Sequence, residues 1–496
     1  MSLINISNLT FGYDGSYDNI FENVSFQIDT DWKLGFTGRN GRGKTTFLKL
    51  LQGKLEYTGT ITSGVDFEYF PFDIPDKTLM TQEIADGICD DIQRWQLIRE
   101  LNLLSVNEDV LYRPFYTLSN GEQTKVMLAA LFLRENNFLL IDEPTNHLDT
   151  QARQIVGRYL DSKKGFILVS HDRNFLDSCV DHILSINITD IEIQKGNFSS
   201  WFVNKQAKDS YEQSENDKLK KDIRRLSEAA KRTSQWSDKA ESRKIGFDPV
   251  KVEKSLTRRP MEGRKAKKMM SRSKQIEARQ QKALDEKSGL LKNTERISDL
   301  KIHPLKFHSR ELVSIRDLCV SYGVKNVCTD VSFQINQGDR LALCGKNGCG
   351  KSSILKLLCG QDIPHSGEII MNNQLIISYV AQDTSFLHGD LKEFAENQQI
   401  DESLFKAILR KLDFSREQFE KDIDDFSAGQ RKKVLIASSL CQQAHLYIWD
   451  EPLNFIDVFS RMQIEQLLTT FSPSMIFVEH DEAFQDNIAS QRIYIG

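Results

Sequence analysis

The chain has 496 residues, of which 40% are hydrophobic and 27% charged, and its formal net charge is −5. This length is too great for one core and predicts about three structural units with a soluble, globular composition. No apolar run approaches the roughly 18 residues that cross a bilayer, and the N-terminus lacks a signal-peptide pattern. We therefore expect a cytoplasmic protein without a membrane segment. The eight cysteines form no C-x-x-C pair, which argues against zinc.

The first chemical motif lies near the N-terminus. Apolar strands are predicted at residues 3–6 and 33–36, and the second leads into Gly38-Arg-Asn-Gly-Arg-Gly-Lys44-Thr45. A helical pattern follows at 47–51. In such a loop, backbone N–H groups approach phosphates, the lysine neutralises β- and γ-phosphate charge, and the hydroxyl ligates Mg²⁺. This stretch therefore predicts an ATP site.

An acidic pair ends a strand further along the chain. The apolar run 138–141 predicts a buried parallel strand, and Asp142 and Glu143 follow it directly. We expect Asp142 to hold Mg²⁺, largely through water, and Glu143 to polarise the water that attacks the γ-phosphate. A simple turn is the weaker interpretation downstream of a phosphate loop.

A charged, helix-prone insert follows. Residues 211–300 contain 25 basic and 15 acidic residues, a local charge of +10. An apolar stripe runs along 219–230, and a heptad pattern runs along 269–297. Glycine and proline break any helix between them, so the sequence predicts a helical hairpin with its tip at about 244–263. Its charge indicates a polyanionic partner, although a charged hairpin that merely tethers its neighbours is the alternative.

The tip combines cations, which suit phosphates, with apolar groups, which suit unstacked bases or a drug pocket. The tip residues that we assign to RNA or drug-site contacts are Lys244, Phe247, Lys251, Lys254, Leu256, Arg258 and Arg259.

The end of the chain repeats its beginning. The phosphate loop recurs at 345–352, the segment 118–123 recurs at 426–430, the acidic pair recurs as Asp450-Glu451, and His171-Asp recurs as His480-Asp. The spacing stays between 307 and 309 residues, so the chain is a tandem duplication. We predict α/β nucleotide-binding domains at 1–200 and 309–496, with the helical hairpin linker at 201–308 between them.

These motifs together resemble the ATP-binding cassette (ABC) superfamily. The resemblance implies that the segments at 118–123 and 426–430 are signature loops, that His171 and His480 are switch histidines, and that Asp149 and Asp457 belong to D-loops. In that family the signature loop of one cassette covers the ATP of the other. Two composite sites are implied: a first site built on the Lys44 loop, and a second site built on the loop at 345–352.

The resemblance assigns nucleotide, metal and catalytic roles by position. The nucleotide-binding residues are Tyr13, Gly38, Asn40, Gly41, Gly43, Lys44, Thr45, Thr46, Ser427 and Gly429 for the first site, and Tyr322, Gly345, Asn347, Gly348, Gly350, Lys351, Ser352, Ser353, Gln382, Ser119 and Gly121 for the second. The Mg²⁺ ligands are Thr45, Asp142, Ser352, Gln382 and Asp450. The catalytic residues are Glu143, Glu451, His171 and His480. Phe11 is an alternative to Tyr13 as the aromatic that stacks on adenine.

The two sites depart differently from the family pattern. Gln382 matches the Q-loop glutamine, whereas Phe72 stands at the corresponding place in the first copy. Asn120 and Ala428 replace a glycine that the family prefers in the signature loops. We expect unequal sites, both competent, with the first hydrolysing ATP more slowly.

Both cassettes lie in one polypeptide without membrane segments, zinc modules or very long coiled coils, which resembles the ABC-F group. The chain is similar to Lsa-type resistance proteins of Gram-positive bacteria in the residues at 32–35 and 38–43, in Tyr69-Phe-Pro-Phe72 and in the segment 450–457. The insert segments 229–233 and 267–274 add to the similarity.

The resemblance implies an ATP-bound monomer that pairs its own cassettes in the tRNA exit site of the 70S ribosome. Its linker would displace P-site tRNA and reach the 23S rRNA of the peptidyl-transferase region, protecting against lincosamides, streptogramin A and pleuromutilins. The alternatives are a housekeeping ABC-F translation factor, the ATPase subunit of a drug exporter, and a DNA-acting ATPase.

Overall fold

The computed structural model describes residues 2–13, 19–89, 93–134, 136–146, 148–186, 191–245, 271, 279, 300–323 and 325–495. The chain divides into two compact units, of which one comprises Met1–Trp201 and Ile297–Gly496, and the other Phe202–Arg296. The first unit therefore contains both nucleotide-binding copies, hereafter the first and second cassettes. The tip residues predicted at 247–259 lie outside the described residues.

The first cassette contains two sheets and the helices that flank them. The strands are β1 (Leu3–Phe11), β2 (Phe21–Asp29), β3 (Lys33–Thr37), β4 (Thr58–Thr62), β5 (Asp66–Phe70), β6 (Asn137–Asp142), β7 (Phe166–Val169), β8 (His182–Ile186) and β9 (Ile191–Lys195). The helices are α1 (Lys44–Leu51), α2 (Thr81–Ile88), α3 (Arg94–Leu103), α4 (Asn120–Leu131), α5 (Thr150–Asp161) and α6 (Arg173–Cys179). The antiparallel sheet has the order β2-β1-β4, and the larger sheet has the order β5-β6-β7-β3-β8-β9, parallel except for β9.

The second cassette repeats this plan. Its strands are β10 (Glu311–Tyr322), β11 (Lys325–Asn336), β12 (Arg340–Cys344), β13 (His365–Met371), β14 (Ile377–Val380), β15 (Leu446–Asp450), β16 (Met475–Val478) and β17 (Gln491–Tyr494). Its helices are α8 (Lys351–Leu358), α9 (Leu391–Asn397), α10 (Glu402–Lys411), α11 (Ala428–Cys441), α12 (Val458–Phe471) and α13 (Glu482–Ile488). An antiparallel sheet β11-β10-β13 lies beside a parallel sheet β14-β15-β16-β12-β17. The predicted α/β fold with two tandem nucleotide-binding domains is confirmed.

The cores follow from the apolar strands. The runs 138–141 and 166–169 are buried, as strands covered on both faces of a parallel sheet must be. In the larger sheets, β7 separates β3 from β6, and β16 separates β12 from β15. Both phosphate loops and both acidic pairs therefore lie at the carboxyl ends of their strands, which is where open α/β sheets bind ligands.

The helices after the signature loops begin earlier than the apolar periodicity predicts. The apolar periodicity of the sequence predicts helices over residues 124–134 and 432–441, but α4 begins at Asn120 and α11 at Ala428. Ser119 caps the first helix by accepting a hydrogen bond from the N–H of Glu122, and Ser427 caps the second in the same way. These capping boxes extend each helix to the signature serine, whose local hydrogen bonds apolar periodicity does not register.

The described part of the linker is a long helix, α7 (Phe198–Ile245), of 48 residues. At 1.5 Å per residue it spans about 70 Å. Leu219 and Ile223, which belong to the predicted apolar stripe, are partly buried. Lys244 lies within this helix, and residues 246–263 of the predicted hairpin tip lie outside the described residues. Across the helices that the structure describes, none combines the length and hydrophobicity of a membrane span.

Candidate active sites

Each phosphate loop begins where a central strand of the parallel sheet ends. Gly43, which precedes α1, has a left-handed backbone with φ of 90°, and a Cβ atom there would lie 2.5 Å from Cγ2 of Ile20. Both constraints require glycine. Nζ of Lys44 donates to the carbonyl oxygen of Gly38 at 2.6 Å, and Lys351 makes the matching bond in the second cassette at 2.9 Å. Each ammonium thus lies across its loop, beside the anion-attracting N-terminus of a helix.

A hydroxyl and a carboxylate lie together beside each loop. Oγ1 of Thr45 donates to Oδ2 of Asp142 at 3.2 Å, and Oγ of Ser352 donates to Oδ1 of Asp450 at 3.0 Å. Burial raises the pKa of Asp450 to about 6, although the hydrogen bond from Ser352 opposes the shift. Its second oxygen, Oδ2, is buried and has no hydrogen-bond partner among the residues that the structure describes. Because Mg²⁺ prefers oxygen ligands, the residues present fit that ion.

The glutamate of the first site is buried and lies beside another negatively charged group. Glu143 has a left-handed backbone with φ of 49°, and its N–H donates to the carbonyl of Val169 at 2.9 Å. Its Oε1 lies 3.3 Å from Nε2 of His171. Burial, followed by the charge of Asp142, raises the pKa of Glu143 to about 8. Burial and the positive charge of Lys44 lower the pKa of His171 well below its ordinary value. This site therefore holds a neutral imidazole beside a carboxyl that favours its protonated form.

The glutamate of the second site has three polar neighbours. Glu451 accepts hydrogen bonds from Nε2 of Gln382 at 2.9 Å and from Nδ2 of Asn454 at 2.6 Å. Nε2 of His480 lies 3.6 Å from its Oε1. Burial disfavours the charge on Glu451, but the interactions with His480, Gln382 and Asn454 outweigh it and lower its pKa to about 2. The equivalent glutamates thus differ in the protonation state that their surroundings favour.

A tyrosine lines the first cavity, and a glutamine from the equivalent segment lines the second. Tyr69 and Pro71 line the first cavity, whereas Gln382 lines the second. The hydroxyl of Tyr69 donates to Oδ2 of Asp142 at 2.8 Å, the oxygen that also accepts from Thr45. The sequence marks this segment as a departure through Phe72, but the residue that reaches the aspartate is three positions earlier.

One aromatic side chain of each cassette lies at the phosphate-loop helix. The hydroxyl of Tyr13 lies 3.0 Å from Oγ1 of Thr46, and that of Tyr322 lies 3.1 Å from Oγ of Ser353. Both rings are about half exposed. Phe11 is buried and packs edge-on against Tyr13 with ring centroids 5.1 Å apart, so Tyr13 is the aromatic that faces the first cavity.

Residues of both cassettes line each nucleotide cavity. The first cavity, of about 580 Å³, joins Asn40, Gly41, Gly43, Lys44, Thr45, Thr46, Asp142, Glu143 and His171 to Ser427 and Gly429 of the opposite cassette. The second, of about 820 Å³, joins Asn347, Gly348, Gly350, Lys351, Ser352, Ser353, Gln382, Glu451 and His480 to Ser119 and Gly121. The remaining predicted residues lie beside these cavities: Gly38 and Gly345 begin the loops, Asp450 pairs with Ser352, and Tyr322 pairs with Ser353.

Several residues at the sites carry no role in the sequence interpretation. Nδ2 of Asn40 donates to the carbonyl of Phe455 across the cassette boundary at 3.0 Å. Arg461 donates to the carbonyl of Ile456 in its D-loop at 2.9 Å and to Asp481, next to the switch histidine, at 3.1 Å. Arg153 makes the equivalent bonds in the first cassette. A signal was present, because each arginine stands four residues after the D-loop aspartate.

Comparisons with known proteins agree with this geometry. A family model described as "ABC transporter" matches residues 21–146 and 328–454. The ribosome protection protein VmlR of Bacillus subtilis strain 168 is 25% identical over 510 residues, covering 100% of this chain and 87% of that protein. The energy-dependent translational throttle protein EttA of Haemophilus influenzae is 24% identical over 531 residues, covering 96% of this chain and 89% of that protein.

Solved structures share the fold at low identity. The archaeal ribosome recycling factor aABCE1, solved in complex with the ribosomal stalk protein aP1, superposes with a TM-score of 0.64 at 18% identity. The match covers 98% of this chain and 87% of that chain.

The fold and the two sites define a tandem ATP-binding cassette ATPase. Because the family model matches just over half of its residues, the chain belongs to the ABC transporter family, and within it is an ABC-F ATPase.

Proposed function

We propose that this ATPase acts on the ribosome, where ATP closes its paired cassettes and hydrolysis reopens them. Residues 1–200 and 309–496 serve as the cassettes, and residues 201–308 serve as the linker. The observation that carries the proposal is that each nucleotide cavity joins the phosphate loop of one cassette to the signature serine and glycine of the other. ATP bound at either loop therefore makes contacts that exist only in the closed pair, so binding favours closure by mass action.

In each site the chain's own residues position ATP. Lys44 and Lys351 meet the β- and γ-phosphates, Tyr13 and Tyr322 stack on adenine, and the signature helices direct their N-termini at the γ-phosphate. The other loop residues act through their backbone N–H groups.

Mg²⁺ would be held by Thr45 and Asp142 in the first site, and by Ser352, Asp450 and Gln382 in the second, where it supplies charge neutralisation between the phosphates. The unpaired Oδ2 of Asp450 supports this assignment. Glu143 and Glu451 orient the attacking water, and His171 and His480 hold the glutamate and the γ-phosphate in the correct relative position.

The two sites hydrolyse ATP at different rates. Glu451, with its pKa near 2, is ionised at neutral pH and can accept a proton from water, whereas Glu143, with its pKa near 8, largely keeps its own. The second site is therefore the faster one. The first site keeps its glutamate and stays competent, but the hydroxyl of Tyr69 donates a hydrogen bond to Asp142, the aspartate that would hold the ion.

The ribosomal role is supported by similarity along the full length of the chain, insert included, to a protein named for ribosome protection. We propose that the closed monomer binds the tRNA exit site of the 70S ribosome in the cytoplasm and that its basic linker displaces P-site tRNA. A helix of about 70 Å is long enough to reach far from a cassette. The tip residues Lys244, Phe247, Lys251, Lys254, Leu256, Arg258 and Arg259 would then act near the peptidyl-transferase region of the 23S rRNA.

We further propose that ribosome binding by this protein confers drug resistance. Displacement of tRNA and entry of the tip would expel lincosamides, streptogramin A and pleuromutilins. A housekeeping translation factor is the second candidate, because a protein named as a translational throttle is similar along nearly the same length.

Co-sedimentation with 70S ribosomes tests the proposal. The Glu143→Gln/Glu451→Gln chain, trapped with ATP, is expected to pellet with ribosomes, and a matched Lys44→Ala/Lys351→Ala chain is expected to stay in the supernatant. If the trapped chain does not pellet with ribosomes, the ribosomal function is wrong. If it instead pellets with membrane vesicles, the exporter alternative is favoured.

Drug susceptibility of a sensitive host, measured with and without the gene, then separates resistance from housekeeping. A rise in the inhibitory concentration for the three drug classes supports resistance. Ribosome binding without such a rise identifies a housekeeping factor.

A further inference from the structure

The first site is flanked by ion pairs that join the two cassettes. Arg39, in the first phosphate loop, pairs with Asp413 after α10 of the second cassette at 3.2 Å, and its guanidinium lies 5.8 Å from the ring centre of Phe459. Arg173, next to the first switch histidine, pairs with Glu465 on α12. The side chains of Arg39, Arg173 and Glu465 are exposed by 14% or less, and that of Asp413 is exposed by 29%. The Arg173–Glu465 pair is therefore largely shielded from solvent, and the Arg39–Asp413 pair is shielded on the arginine side.

The duplication supplies an internal control on the other side. The residues equivalent to Arg39 and Asp413 are Lys346 and Ser105, and those equivalent to Arg173 and Glu465 are Glu482 and Gly157. Serine and glycine carry no charge, so neither ion pair can form beside the second site.

Cavities lie beside several of the residues on this second side. Ser105 and Lys346 line the second nucleotide cavity, which is larger than the first, at about 820 Å³ against 580 Å³. A further cavity of about 350 Å³, lined by Gln154, Arg158 and Glu482, lies close to His480. Across it Nε2 of Gln154 donates one exposed hydrogen bond to Glu482 at 2.8 Å. The second side of the interface is therefore more loosely packed than the first.

We propose that Arg39–Asp413 and Arg173–Glu465 form an inter-cassette clamp that keeps the first site closed while the second site opens and exchanges nucleotide. The inference rests on the proposed composite sites and goes beyond their unequal hydrolysis, because it assigns the order of opening. Separating a shielded ion pair breaks a strong attraction before water can reach either charge, and this slows dissociation more than loss of exposed contacts does. The clamp residues are positioning residues, since they act on the nucleotide only by holding the opposite signature loop over it.

Site-resolved photolabelling tests the clamp. The Glu143→Gln/Glu451→Gln chain is loaded with 8-azido-ATP and Mg²⁺, chased with excess ATP and irradiated at intervals, and labelled peptides of each cassette are quantified by mass spectrometry. Label on the first cassette is expected to outlast that on the second by about tenfold or more, the scale of losing a shielded charge pair. Asp413→Ser, which copies the second side at one of the two pairs, is expected to bring the two lifetimes closer together.

Charge reversal distinguishes an ion pair from general packing. Arg173→Glu and Glu465→Arg are each expected to shorten the lifetime of the first-cassette label, and the double variant is expected to restore it. Ser105→Asp, which places a carboxylate opposite Lys346, is expected to lengthen the lifetime on the second cassette. Aspartate is suited to that position, because Ser105 has a φ of 53° and Asp tolerates left-handed backbone. Glu368→Ser, which removes an exposed pair with Arg316 within one sheet, is the matched control.

The outcomes separate the clamp from the composite sites. If neither cassette retains label against the chase, the composite closure itself is wrong. If both retain it but the lifetimes are equal, or if Asp413→Ser and the charge reversals leave them unchanged, the clamp is wrong and the composite sites stand.

Discussion

Nε2 of Gln382 donates a hydrogen bond to Oε2 of Glu451 over 2.9 Å. The equivalent pair in the first cassette is Phe72 and Glu143, and a phenyl ring has no donor to offer. The missing donor is one contribution to the difference between the two glutamates, beside the burial of Glu143, the charge of Asp142 and the interaction of Glu451 with His480.

Loss of Gln382 is expected to raise the pKa of Glu451, because it removes a donor that favours the charged carboxylate. In single-turnover hydrolysis, the acid limb of the pH–rate profile of the Gln382→Ala chain therefore moves to higher pH. Phe72→Ala, the matched change in the first cassette, is expected to leave that limb in place. Coincident acid limbs for the Gln382→Ala and parent chains would contradict the assignment.

The glutamates are expected to contribute unequally to turnover. Glu451→Gln removes the base of the faster site and is expected to slow single-turnover hydrolysis by about 10²-fold or more, the usual scale for a general base. Glu143→Gln is expected to leave most of the fast phase intact. Rapid-quench measurement with saturating ATP and Mg²⁺ checks both expectations. Equal losses of hydrolysis rate in the two variants would show that the sites are not unequal.

The same two substitutions are expected to change stability in opposite directions at pH 7.5. The folded pKa of Glu143 is raised from 4.5 to about 8, so the folded chain holds a proton that the unfolded chain releases, and stability falls as pH rises between those values. The folded pKa of Glu451 is lowered from 4.5 to about 2, so its carboxylate stabilises the chain above pH 4.5, and that contribution disappears as pH falls towards 2.

Calorimetry of the nucleotide-free chain checks this. Glu143→Gln is expected to raise the melting temperature by a few degrees, and Glu451→Gln is expected to lower it. Repeating the scan near pH 4.5 provides the control, because the gain from Glu143→Gln vanishes there. Shifts of the same sign at pH 7.5 would refute the opposed pKa directions.

The signature glycines are expected to tolerate a methyl group unequally. A Cβ atom on Gly429 would lie 2.4 Å from the carbonyl oxygen of Phe455 and 3.2 Å from Nδ2 of Asn40, whereas one on Gly121 would meet only Leu148 at 3.4 Å. Gly429→Ala is therefore expected to displace the D-loop and break the hydrogen bond between Asn40 and Phe455, since a backbone atom cannot yield as a side chain can.

ATP retention by the hydrolysis-blocked chain measures this effect. Gly429→Ala is expected to lose retention at the first site by about tenfold, since one cross-interface hydrogen bond and its packing contribute on that scale. Gly121→Ala is expected to retain ATP nearly as the parent does. The reverse order would show that the packing around Gly429 does not govern closure.

The α/β fold was predictable because its signals are local. Apolar runs specify the buried strands, G-x-x-x-x-G-K-[ST] specifies the turn from strand to helix, and the repeat of four motifs specifies the duplication. Element ends were less predictable, as with α4 and α11, because a capping box extends a helix beyond its apolar pattern. Most motif residues line the two cavities, but so do residues that no motif names, such as Tyr69 and Ser105.

The partners that depend on packing were not predictable. Tyr69 reaches Asp142, and Asn454 reaches Glu451, through the shapes of nearby loops that no motif encodes. Arg39 pairs with Asp413, and Arg173 pairs with Glu465. In both pairs the partners lie almost 300 positions apart in the sequence, or further. Their geometry depends on how two independently specified cassettes meet.

Contiguous residues are enough to specify a duplicated ABC ATPase with two phosphate loops, two acidic pairs and a charged helical linker. The different states of Glu143 and Glu451, and the ion pairs beside the first site, become visible in the folded chain. Those differences arise from burial and from contacts between distant segments. Only in the folded chain do Asp413 and Glu465 meet their arginine partners, whereas the equivalent residues Ser105 and Gly157 can form no ion pair.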